Sequence, residues 1–142
     1  MQNNLLKIEA FLQKHHVLSL CTTDALELSA CNLFYVFDVL SNSFVVASSD
    51  ETTHVKNILQ NPKVAGTVVL ETKAVGKIEG VQFRGDFLAL EDNALKKLYF
   101  SHFPYALAMN PKLWQIKINY FKLTDNRLGF GKKIIWKRNS LE

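Results

Sequence analysis

The sequence predicts a mainly β fold with peripheral helices: a six-stranded antiparallel barrel. Three observations carry this expectation. Runs of apolar and β-branched residues of strand length recur along the chain, separated by turn residues. The helical stretches are short and fall at the connections between those runs, which suits antiparallel strands around one core. Residues 28–37 are apolar on both alternating faces, as expected of a strand buried on two sides, in a closed barrel or at a dimer interface. The chain has 142 residues, enough for one sizeable core, and a single domain over 1–140 is expected. Leu141-Glu142 reads as a cloning scar.

Residues 3–16 have helical periodicity, with Leu5, Ile8, Leu12 and His15 in one stripe and Leu6 and Phe11 flanking it. Asn3 or Asn4 is the expected cap. Residues 17–22 form the first strand, 24–27 a turn, and 28–37 the second strand. In that second strand Asn32 is the polar exception, either a satisfied core amide or a group aimed at a ligand. Residues 44–47 are the third strand. A helix then opens at Thr52 or Thr53, either of which can accept from a backbone N–H of the first turn. Val55, Ile58 and Leu59 fall on one face, and Asn61-Pro62 stops the helix because the residue before proline is pushed out of the α region.

Residues 63–70 form the next strand, and 78–90 a long one. There Val81, Phe83, Phe87 and Ala89 face one way, while Gln82, Arg84 and Asp86 face a wet surface or a site. Gly80 and Gly85 are expected bulges. Residues 91–102 read as a helix burying Leu95, Leu98 and Tyr99. Pro104 and Asn110-Pro111 punctuate a shorter helical piece. Residues 113–124 carry Trp114, Ile116 and Ile118 on one face. Residues 125–131 form a turn-rich connection, and 134–136 a last short strand.

Hydrophobic residues make up 48% and charged residues 21%, ordinary proportions for a soluble chain. No apolar run approaches the ~20 residues that span a bilayer, and the first sixteen residues lack the apolar stretch of a signal peptide, so no membrane and a cytoplasmic location are expected. The net charge is +4, with Lys132, Lys133, Lys137 and Arg138 late in the chain. Such an end attracts nucleic acid or anionic substrates, or forms a solvated docking rim. Cys21 and Cys31 are too few for a zinc site and read as buried free thiols. His15 and His16 are adjacent, so their rings diverge on a helix, and no metal is expected. The Gly129–Lys133 run fails as a phosphate loop, because Asn126 stands where glycine is needed and Lys133 where Ser or Thr is needed.

No catalytic constellation stands out, and no catalytic residue is assigned. Between residues 48 and 56, hydroxyls, first-turn N–H groups and a positive dipole end converge. That is a generic anion site suited to phosphate. It is equally the pattern of an ordinary capped helix with a solvated loop, and the residues alone leave both open.

The order of motifs says more. A strand runs into Ser48-Ser49 and a helix start at Thr52-Thr53-His54, with Pro62 closing the helix. A later strand carries Gln82-Phe83-Arg84-Gly85, and a further one starts with Trp114. This order resembles the FMN-binding split-barrel superfamily, whose best-known member is pyridoxamine 5′-phosphate oxidase. Residues 80–85 and 124–136 are similar to the small bacterial YhbP family within it. The resemblance implies a Greek-key split barrel and a homodimer with its cofactor cleft between subunits. It implies an FMN-dependent oxidoreductase of unknown substrate. Thr52, Thr53 and His54 would hold the phosphate, with Ser48 and Ser49 on the phosphate and ribityl region. Gln82 and Asn32 would address the flavin's polar edge, and Trp114 would pack near it. Related split barrels bind haem, so a flavin- or haem-carrying module without turnover is the first alternative. A nucleic-acid-binding barrel is the second. Thr53 and His54 stand where tight FMN binders place fixed cations, and histidine is mostly neutral at pH 7. Losing one charge-assisted contact costs ~1.5–3 kcal/mol, so weak FMN binding is expected.

Overall fold

A computed structural model describes residues 2–129 and 132–139. Helix α1 (Gln2–Lys14) leads into a meander of β1 (Val17–Thr23), β2 (Leu28–Asp38) and β3 (Ser43–Ala47). Helix α2 (Thr53–Gln60) then carries the chain to β4 (Lys63–Val69), which pairs with β1. Next come β5 (Glu79–Ala89), helices α3 (Asn93–His102) and α4 (Pro104–Leu107), β6 (Leu113–Asp125) and β7 (Lys133–Lys137).

The sheet order is β3-β2-β1-β4-β5-β6-β7, all neighbours antiparallel, and β3 also pairs with β6. Six strands therefore close into a barrel, and β7 extends β6 outside the closure. The spatial order β4-β1-β2-β3 is a Greek key. The expected fold class holds, and β7, expected as the last short strand over 134–136, lies outside the six-stranded closure.

Alternation fills the barrel. Leu18, Leu20, Tyr35, Phe37, Phe44, Phe83, Ile116 and Phe121 all point inward and are buried. Rings of Tyr35, Phe37, Phe83 and Phe121 surround Phe44, with centroids 4.8–6.3 Å away. Helix α1 closes one end with Ile8, Phe11 and Leu12, and Tyr35 OH donates to Leu12 O at 2.6 Å. Helix α2 closes the other with Val55 and Ile58, while Asn57 Nδ2 donates to Thr22 Oγ1 at 3.0 Å. Gly85 carries the expected bulge, since the β5–β6 register shifts between Arg84 and Gly85. A Cβ there would lie 2.4 Å from Lys117 O, so the close approach itself requires glycine.

Several expectations are corrected. Helix α1 begins at Gln2, so Asn4 and Asn3 lie within it rather than capping it. Leu59 is 68% exposed, because α2 turns Val55, Asn57 and Ile58 into the barrel end and Leu59 away from it. Gly80 pairs in regular register with Val69 and Thr124 and is no bulge. Cys21 and Cys31 are half-buried free thiols on opposite faces of the sheet: Cys31 opposes the inward Leu20, and Cys21 opposes the outward Ala30. The two-sided burial of β2 is confined to residues 35–37. In its first part the outward Leu28 and Phe34 are 77% and 60% exposed. Phe130, Gly131 and the Leu141-Glu142 pair lie outside the described residues.

Candidate functional site

The start of α2 sits where β3 ends, at one rim of the barrel. Pairing of β3 with β6 brings Lys112 and Trp114 to this rim, although they lie more than sixty residues along the chain. Ser48 is fixed on three sides. Its N–H donates to Lys112 O at 3.0 Å, and its carbonyl accepts from Trp114 Nε1 at 2.9 Å. Its Oγ lies 2.7 Å from His54 Nε2. Thr52 is the cap: Oγ1 accepts from Val55 N at 3.4 Å and donates to Ser49 O at 2.8 Å. Thr52 Oγ1 is also 3.4 Å from His54 Nε2. His54 Nε2 thus stands between the two hydroxyls, donor or acceptor towards Ser48 according to its tautomer.

Burial pushes the His54 imidazolium below its ordinary range, so the ring is neutral near pH 7. It stands edge-on to Phe87, which packs in turn on Trp114. Thr53 and Ser49 are exposed beside it. In a helix start the N–H groups of Thr53 and His54 have no intrahelical acceptor, so they add to the positive end of the dipole. Lys112, one residue ahead of β6, adds a lysine to this rim besides the exposed Lys56 of α2. Lys112 Nζ lies 4.6 Å from the Trp114 ring centroid and pairs with Asp50 Oδ1 at 3.1 Å. Lys112 was missed by sequence reasoning. Its only local signal is a position two residues before Trp114; the β3–β6 pairing that brings it here is non-local.

Trp114 is buried, with its indole N–H committed to Ser48, so it supports the rim rather than offering a free ring face. Ser48, Ser49, Thr52, Thr53, His54 and Trp114 thus form one cluster.

Asn32 and Gln82 belong elsewhere. Strand registry places them in one outward row, Asn32–Ser19–Thr67–Gln82–Lys122, across β2, β1, β4, β5 and β6. Asn32 is exposed, not a core amide, and its Oδ1 accepts from Ser19 Oγ at 2.9 Å. Gln82 is exposed on the barrel wall, five residues or roughly 16 Å along β5 from Phe87. One chain does not bring the rim cluster and the wall row into contact. Gln82 and Thr67 border two shallow cavities on this wall. The larger, about 400 Å³, is also lined by Cys21, Ala65, Arg84 and Tyr120. The smaller, about 250 Å³, includes Val69, Gly80 and Thr124.

The basic end is only partly available. Arg138 donates to Ile118 O and Ser41 O, both at 2.8 Å, so it ties β7 to the barrel. Among the described residues no helix is long and apolar enough to cross a membrane.

No protein-family model matches the chain. It is 37% identical over 134 residues to a UPF0306 protein of Photorhabdus laumondii, covering 92% of this chain and 94% of that one. It is 39% identical over 139 residues to the UPF0306 protein YhbP of Escherichia fergusonii, covering 96% and 95%. Among solved structures the fold is similar to a candidate pyridoxamine 5′-phosphate oxidase of Listeria innocua, with TM-score 0.71, 16% identity and coverage of 86% and 98%. It is also similar to an FAD-binding protein of Mesorhizobium loti, with TM-score 0.68, 16% identity and coverage of 83% and 91%. The haem storage protein HutZ of Vibrio cholerae gives TM-score 0.67, 16% identity and coverage of 80% and 89%. The barrel is thus the split barrel of the pyridoxamine 5′-phosphate oxidase-like proteins, and the chain belongs to the UPF0306 family, of which YhbP is a member.

Proposed function

We propose that this protein is a homodimeric FMN-binding split-barrel protein with oxidoreductase chemistry on a substrate still to be found. It works in the cytoplasm, where thiols such as Cys21 and Cys31 stay reduced. The observation that carries the reading is the polar rim at the start of α2. There Ser48, Thr52 and His54 are held by one another while Thr53, Ser49 and Lys112 remain at the surface. Hydroxyls, helix N–H groups and one lysine form a donor set that suits a phosphate. When bound, the flavin supplies the electron transfer, and the residues of the chain bind and orient it. The rim would hold the phosphate, and Asn32 and Gln82 would meet the ring's polar edge. In one chain these two groups are apart, which supports a cleft completed by the partner subunit.

His54 provides the test. A phosphate nearby favours its imidazolium, opposing the effect of burial, so protonation strengthens FMN binding. FMN titrations between pH 8 and pH 6 should show affinity rising towards acid for the wild type. His54→Lys should bind more tightly with a flatter profile, and His54→Ala should lose most at the acid end. The phosphate's own protonation near pH 6 acts in the opposite direction, so riboflavin is the control. Identical FMN affinities for all three proteins across the range would sink the assignment.

A second reading, a haem-carrying module, is supported by the fold's likeness to the haem storage protein HutZ. Absorbance near 450 nm in the purified protein favours flavin, and a Soret band favours haem.

A further inference from the structure

The chain has three arginines, and two are committed internally. Arg127 pairs with Glu79 at 2.6 Å and Asp125 at 3.1 Å, and Arg138 is spent on backbone carbonyls. Arg84 has no carboxylate partner among the described residues. Its guanidinium lies over Tyr120, with Cζ 4.1 Å from the ring centroid. That contact restricts the group, while Arg84 stays exposed in the single chain, so the N–H donors that bind oxyanions can be reached there.

Its surroundings are built for a flat anion. Arg84 opposes Ala65 on β4, which opposes Cys21 on β1 and then Ala30 on β2, so small side chains floor the wall beside it. The neighbouring row gives Thr67 and Gln82, and next to Gln82 stands Lys122. Across this row, the Arg84 row and the one through Val69 and Gly80, strand registry places no Asp or Glu outward. The nearest acid on the Arg84 side, Asp86, is taken by Lys63 at 2.8 Å and by Asn119 at 3.1 Å. The cavity of about 400 Å³ lined by Arg84, Thr67 and Gln82 is within the size range of small-molecule sites.

We propose that Arg84, held on Tyr120, is a ligand anchor: it takes the phosphate or carboxylate of a planar unsaturated ligand whose body lies over Ala65 and Thr67 against Gln82. This site shares Gln82 with the flavin site proposed above, so Arg84 and the α2 rim are alternative holds for the anionic group of one ligand, and the experiment separates them.

The experiment titrates wild type, Arg84→Gln and Arg84→Lys with FMN, haemin and riboflavin, which carry a phosphate, two carboxylates and no anion. Circular dichroism checks that the variants fold, as expected for an exposed side chain. Arg84→Gln should weaken FMN, haemin or both roughly tenfold to a hundredfold, with riboflavin changed less than about twofold. Arg84→Lys should fall between, because it keeps the charge and loses the planar fork. A loss confined to haemin identifies a carboxylate and counts against the flavin reading while supporting the anchor; a loss confined to FMN identifies a phosphate. The anchor is overturned if Arg84→Gln binds both anions as the wild type does, if riboflavin weakens equally, or if the wild type binds neither anion at 100-fold protein excess. FMN binding that responds to His54 and not to Arg84 would leave the rim reading standing and remove this one.

Discussion

The outer wall of the barrel has two halves with different fates. Over β3, the end of β2 and the start of β6, helix α3 packs on the outward Val36, Val45 and Leu113 through Leu95 and Tyr99, forming a second apolar cluster. Over β1, β4, β5 and the first part of β2, no helix among the described residues covers the wall: Leu28, Val17 and Val69 stay exposed, and Phe34 meets Phe103 at the α3–α4 junction, 5.7 Å between ring centroids, yet stays 60% exposed. The alternation of side chains is the same in both halves. What differs is a covering element, so an outward apolar residue is core in one half and a surface for something else in the other.

The largest expected effect breaks this comparison if it fails. Leu95→Ala, 7% exposed on the face of α3 that packs on the wall, should cost about 2–5 kcal/mol in denaturant unfolding, since the cavity adds to the lost burial. Leu28→Ala, 77% exposed on the open half, should cost less than about 0.5 kcal/mol in the isolated chain. Equal costs would mean that the two halves are covered alike.

A smaller effect comes from the barrel ends. Burial lowers the pKa of His54, and burial together with His16 and Lys14 lowers that of His15 against the pull of Glu79. Both rings therefore bind a proton less readily folded than unfolded. Their contribution to stability is fully present above the ordinary histidine pKa of about 6.5. It falls as the pH drops through that value, and the loss levels off below the folded-state pKa. Unfolding at pH 8, 6.5 and 5 should show a shallower acid loss for His54→Gln and for His15→Gln than for wild type. Parallel profiles for all three would contradict the burial argument.

Local pattern carried the inner barrel. The alternation in residues 81–87, the Thr52 cap and the Asn61-Pro62 stop are short-range signals, and each lies where the spacing put it. The failures share a cause. That Phe34 is open while Val36 is covered depends on where α3 returns, more than fifty residues later. Lys112 joins Ser48 only through the β3–β6 closure, and Asn32 meets Ser19 rather than a core partner only through the β1–β2 register. The rim residues named from the family motifs lie together in space, yet no motif says that Gln82 lies on a different part of the surface from His54.

In the homodimer proposed above, the open half, which includes the wall around Arg84, is the face that a second copy would cover, completing the cleft. Sedimentation equilibrium at micromolar concentration measures this directly, on wild type and on Phe34→Asp. The account predicts a wild-type mass twice the 16.2 kDa of one chain, and a shift of the variant towards 16.2 kDa with its circular dichroism unchanged. A wild-type protein that sediments at 16.2 kDa, with or without added FMN, would contradict it.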